Sequence, residues 1–165
     1  MATRSPADAV VALRSMGRRW RGLFAGLAED ESPDALARRP GADGRSALDH
    51  AAHATSTLTI LDRALEQIVV DDDAVLDSAV ADTSRRVGSA TGAGVDAAID
   101  ELAARAEQLA ARADRVASGD WGRRAAVAGD GEVDAITVLW DAVDAAVGDL
   151  RAAETTLGEV RGRPV

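Results

Sequence analysis

The amino-acid sequence predicts an all-α protein built as a four-helix bundle with long connections. Three observations lead there. Four segments carry apolar residues at three- and four-residue spacing, and each is about 20 residues long. No segment alternates apolar and polar residues for long enough to read as a strand. The length of 165 residues suits one domain able to bury a core of its own.

The expected helices cover residues 6–28, 46–68, 95–117 and 133–158 of a single domain spanning 1–165. In the first, Ser5 stands at the N-cap and Pro6 at the first helical position, where a missing N–H costs nothing. Val10, Leu13, Trp20, Phe24 and Leu27 form its apolar face. "EDESPDALARRPGADG" interrupts the pattern with two prolines and leaves room for one short helical turn after Ser32. The second helix opens at Ser46, with Asp49 placed where the helix dipole favours negative charge. Its stripe is Leu58, Leu61, Leu65 and Ile68.

The connection from Val70 to Gly94 is long, acidic at Asp71, Asp72 and Asp73, and rich in glycine at its end. It is expected to be among the least protected parts of the fold. The third helix is the most regular, with Val95, Ile99, Leu102, Ala106, Leu109, Ala113 and Val116 in a seven-residue repeat. A loop around Trp121 and "GDGE" leads to the fourth, where Val133, Ile136, Trp140, Val143, Val147, Leu150 and Leu157 repeat the pattern. Leu102, Leu109, Trp140 and Val147 are expected in the core.

Composition narrows the function. Apolar residues make up 47% and charged residues 28% of a chain with net charge −9. A phosphate backbone or an anionic membrane would be repelled on average, so neither nucleic acid nor membrane is an expected partner. There is no cysteine, hence no disulfide and no thiolate ligand. No apolar run approaches the roughly 20 residues of a membrane span. The opening "MATRSPADAVVALRSMGRRW" has no uninterrupted signal-peptide core, and a cytoplasmic location is expected. The acidic triplet lacks the spacing of a calcium loop, and "GSATGAG" lacks the strand and lysine of a phosphate loop.

Both histidines of the chain, His50 and His53, lie in "RSALDHAAHATS". Three residues apart on a helix, they project about 60° apart, on one side. A metal site between facing helices and a half-buried structural pair are both open readings of this spacing. By periodicity His50 is the more buried of the two.

The stretch "ALARRPGADGRSALDHAAHATSTLTILDRAL" resembles the DinB-like superfamily. Its nearest flavour is the actinobacterial group that includes the N-terminal domain of mycothiol-dependent maleylpyruvate isomerase. Arg39, Pro40, Ser46, Asp49 and His53 fit that frame, with Arg45 where tryptophan is usual. "DWGRRAAVAGDGEVDAITVLWDAVDAAVGDL" resembles the family's turn and last helix, so the likeness covers nearly the whole chain.

The resemblance implies a four-helix bundle, frequent homodimers, and zinc or nickel held by three histidines, one on the second helix and two on the last. His53 matches the first. Asp144 and Gly148 fall where the other two belong, beside Asp149, and His50 is a substitute ligand. Glycine offers no donor, so the implied metal centre is mostly lost.

The leading expectation is therefore a small-molecule-binding protein or divergent enzyme without a metal cofactor, related to thiol-dependent transferases and isomerases. The alternative is a working zinc- or nickel-dependent thiol transferase or isomerase using His53, Asp144 and His50. A further alternative is a non-catalytic bundle that dimerises.

Overall fold

The structure, a computed structural model, describes residues 4–25, 34–40, 44–82, 86 and 94–161. Within them the chain is mostly helical: α1 Pro6–Ala25, a short α2 Asp34–Ala37, α3 Ala47–Val70, α4 Val95–Ala113 and α5 Ala135–Val160. The four long helices overlie the expected apolar stripes, but α4 ends at Ala113, short of the expected 117, and α5 starts at Ala135 rather than at 133. Residues 26–28, expected to extend the first helix, lie outside the described residues.

Local chemistry sets the helix starts. The Ser5 hydroxyl accepts the Asp8 amide at 3.2 Å. At α3 the Ser46 hydroxyl accepts the Asp49 amide, and the Asp49 carboxylate returns the bond to the Ser46 amide, both at 3.0 Å. This reciprocal box satisfies two amides that would otherwise lack helical partners. At α5 the Asp134 carboxylate accepts the Thr137 amide at 2.9 Å.

The long helices close a ring of contacts: α1 on α4, α4 on α3, α3 on α5 and α5 on α1. Trp20, Leu13, Met16, Leu58, Leu61, Leu65, Leu102, Leu109 and Leu139 are fully buried between them. Small residues set the closest approach. A Cβ on Gly17 would stand 2.7 Å from the Ala103 Cβ, so α1 and α4 meet at a point where only glycine fits. Trp140 and Val147 are partly buried and pack against the core rather than inside it. At that edge Arg4 lies over the Trp140 ring, with the guanidinium 4.8 Å from the ring centre.

Two features depart from the sequence expectation. A small three-stranded sheet is present: β1 Val75–Leu76, β2 Arg124–Val127 and β3 Glu132–Asp134, with β1 parallel to β2 and β2 antiparallel to β3. Its strands are two to four residues long, too short to show a period of two. Gly129 and Gly131, at φ +83° and +71°, make the β2–β3 turn.

The second departure is the 70–94 connection. Part of it is packed rather than loose: Ala74, Leu76, Ala79 and Val80 are buried, the last two in a 3-10 turn over Ser78–Val80. Buried Arg86 holds that turn by donating from Nε to the Ala79 carbonyl at 2.8 Å and from a terminal nitrogen to the Val80 carbonyl. Residues 83–85 and 87–93 lie outside the described residues. Arg123 ties the sheet to the end of α3, donating to the carbonyls of Ile68 and Asp71.

Candidate functional site

The two histidines face α5, and one carboxylate meets both. The Nδ1 atom of His53 lies 2.7 Å from Oδ2 of Asp149, and the Nδ1 atom of His50 lies 3.5 Å from Oδ1. The first contact is a hydrogen bond. The second is an ion-pair distance without hydrogen-bond geometry, and the His50 Nδ1 atom is buried with no partner. The three side chains are 14%, 12% and 10% exposed for His50, His53 and Asp149, so neither imidazole is the more buried.

Each element contributes for a legible reason. The α3 capping box fixes the start of the helix one turn before His50, and Arg39 adds a guanidinium 3.2 Å from the same Asp49 carboxylate. Arg39, Ser46 and Asp49 thus form one joint at the start of the helix that carries the histidines. On α5, Asp149 follows Ala142 and Ala146 and precedes Ala153 on the buried side of the helix. The small neighbours let α3 and α5 approach closely enough for a short aspartate to span the gap.

An ionised carboxylate only accepts hydrogen bonds, so against ionised Asp149 the donor of the 2.7 Å contact is Nδ1 of His53. In the neutral ring that tautomer makes Nε2 the acceptor.

The residues expected to hold a metal do not all meet. Asp144 is on the surface of α5, 52% exposed, and pairs with Arg4 at 2.7 Å. Gly148 is exposed, with nothing within 4 Å of where a Cβ would be. The register drawn from the resemblance is therefore displaced: the carboxylate on the histidines is Asp149, and α5 presents Asp144 to Arg4. Five residues turn the helix about 500°, which sets the two acids on different faces, and the buried side is the one with alanines.

Two ligands at about 2.0–2.1 Å from a tetrahedral ion stand roughly 3.3 Å apart. The 2.7 Å between His53 and Asp149 is a hydrogen-bond distance, shorter than that separation. No group of three or more histidine, aspartate or glutamate side chains with metal-holding geometry is found among the described residues. The residues present do not fit a three-histidine centre.

A second buried polar cluster was not singled out from the sequence. Asp62 of α3 accepts from Arg112 Nε at 2.6 Å and from Gln108 Nε2 at 2.8 Å, while Arg112 also reaches Glu66 at 2.8 Å. The hydrogen bond to Asp62 holds the Arg112 guanidinium still more firmly in its charged form, outweighing the opposing effect of burial. Near the 3-10 turn, burial pushes the Arg86 guanidinium down. Burial also pushes the Asp141 carboxyl up, with Arg86 opposing that shift. A sequence signal existed for Asp62 and Asp149. Each is a charged residue inside an otherwise apolar helical stripe, a pattern that demands a partner from a facing helix.

No protein-family model matches the sequence, and no match to a curated protein reaches significance. No helix among the described residues is long and apolar enough to cross a membrane.

Proposed function

We propose that this chain is a DinB-like four-helix bundle that binds a small molecule, with the His53–Asp149 pair in place of a metal centre. The observation that carries the reading is the 2.7 Å hydrogen bond between the two side chains across α3 and α5, almost fully withdrawn from solvent. Asp149 orients the His53 ring and leaves Nε2 to accept a proton or hydrogen bond from a thiol or hydroxyl of the ligand. This is the role that the metal has in the thiol-dependent transferases and isomerases that the sequence resembles, carried out by protein atoms alone. No metal cofactor and no membrane or nucleic-acid partner belongs to this reading.

A second reading is favoured by one specific observation. The His50 Nδ1 atom is buried without a hydrogen-bond partner, 3.5 Å from Asp149, as a displaced ligand would be. That reading requires the His53–Asp149 hydrogen bond to open so that His50, His53 and Asp149 could reach zinc or nickel, with the chain then acting as a metal-dependent thiol transferase or isomerase.

Calorimetric titration of the untagged protein with mycothiol, and with glutathione as comparison, tests the proposal. Saturable binding that is lost in both His53→Ala and Asp149→Asn, and that survives a chelator, supports the metal-free reading. Binding that a chelator abolishes supports the metal-dependent one. Binding unaffected by either substitution removes the His–Asp pair from function.

A further inference from the structure

Away from the histidines, α3 and α4 enclose a pocket of about 160 Å³ whose walls carry three arginines, Arg63, Arg105 and Arg112, and two acids, Asp62 and Glu66. Its charges are not equivalent. Arg112 is committed, since Nε and one terminal nitrogen serve Asp62 and the other serves Glu66. One guanidinium thus bridges both acids and offsets one of their two charges. Arg105 makes only long contacts, 3.5 Å to Gln108 and 3.6 Å to Glu101. Arg63 makes no ion pair or hydrogen bond among the described residues. The lining therefore keeps a formal excess of one positive charge, with unspent guanidinium donors, in a chain whose net charge is −9.

Arg63 and Glu66 also border a larger open groove of about 740 Å³ that runs beneath the 3-10 turn. The groove mixes the apolar Ile60, Ala64, Ala79 and Val80 with the polar Gln67 and the acid Asp77. The small pocket and the large groove thus share a wall.

We propose that the α3–α4 pocket binds the oxyanion group of a small molecule, with Arg63 and Arg105 as its donors and the adjoining groove holding the rest. A carboxylate and a phosphate share the required chemistry: planar or tetrahedral oxygens that accept from guanidinium forks. The committed Arg112–Asp62 pair forms a rigid, nearly neutral floor, so binding does not have to break it. The site is separate from the histidines. Arg63 is ten residues beyond His53, about 15 Å along the helix axis, and it faces α4 where the histidines face α5. The inference holds whether or not the proposed function does.

The experiment is a ¹H–¹⁵N NMR titration of the full chain with inorganic phosphate and, separately, acetate, at constant ionic strength balanced with chloride. The proposal expects saturable shifts at Thr59, Arg63, Arg105 and Gln108 with at least one of the two. Whichever anion saturates identifies the group. Arg63→Gln and Arg105→Gln should each weaken that binding by about three- to tenfold, while Arg151→Gln on exposed α5 should leave it unchanged. Both pocket arginines are on the surface, so their variants keep the fold, and amide spectra of the free variants verify it. Shifts that stay linear and equal those from chloride, or an equal loss in Arg151→Gln, would overturn the proposal.

Discussion

Gly17→Ala is the substitution whose effect the structure fixes most closely, because two opposing terms can be separated. The new Cβ would stand 2.7 Å from the Ala103 Cβ, whereas nonbonded carbons sit comfortably at about 3.5–4.0 Å. Helices α1 and α4 must part by roughly 1 Å, and overpacking of this kind costs about 1–3 kcal/mol. Alanine also improves helix propensity over glycine by about 1 kcal/mol, which hides part of that cost. Gly22 supplies the control. It lies in the same helix with nothing within 4 Å of its would-be Cβ, so Gly22→Ala collects the propensity gain alone. The difference between the two variants should be about 1–3 kcal/mol, with Gly17→Ala the less stable. Urea denaturation followed by circular dichroism measures it directly. Thermal melts should separate by about 2–4 °C for each kcal/mol in a domain of this size. Adding Ala103→Gly to Gly17→Ala should remove most of the clash. Equal stability of the two alanine variants would refute the close approach of α1 and α4.

Three further outcomes follow from buried groups. Leu109→Ala should cost about 2–5 kcal/mol in chemical denaturation through lost burial and a cavity, since Leu109 is wholly inaccessible. Asp62→Ala should cost about 2–3 kcal/mol, toward the low side for a broken buried ion pair because Arg112 retains 20% exposure and keeps Glu66. Asp141→Asn should change the pH dependence of stability. Burial, opposed by Arg86, raises the folded carboxyl above 3.8, so the unfolded chain gives up that proton first as pH rises. The penalty for the charge grows from that pH to the raised folded value and is complete above it. The variant should gain on the wild type across this window, and the gain should vanish below it.

The long helices were legible because their apolar residues recur every three or four positions over three or more turns, as in the stripe Leu58, Leu61, Leu65 and Ile68. The Ser46 cap was legible because a serine followed three residues later by an acid has few other uses. The sheet was not. "RAAV" and "EVD" are too short for a period to emerge, and their pairing is set by the Gly129–Gly131 turn and by contact with Val75 and Leu76. The packing of Ala79 and Val80 was hidden for a different reason. It depends on Arg86, a charged residue whose burial no local pattern announces.

At the candidate site the sequence placed His50 and His53 on one side of a helix. It could not choose the partner on α5, where Asp144 and Asp149 are five residues apart. A helix turns about 500° over five residues, so the two acids point to different faces, and only packing decides which one meets α3. The alanines at 142, 146 and 153 settle it in favour of Asp149.

Whether His53 holds a proton against Asp149 or holds a metal is read from a long-range ¹H–¹⁵N spectrum of the imidazole nitrogens in untagged protein, recorded with and without a chelator. With only two histidines, both rings can be assigned from His50→Ala and His53→Ala. A metal-free His53–Asp149 pair predicts a proton held on Nδ1 of His53, an unprotonated acceptor at Nε2, displacement of the Nδ1 signal in Asp149→Asn, and no change on chelation. A His53 nitrogen with a metal-bound shift that the chelator abolishes, or an Nδ1 signal indifferent to Asp149→Asn, would contradict it.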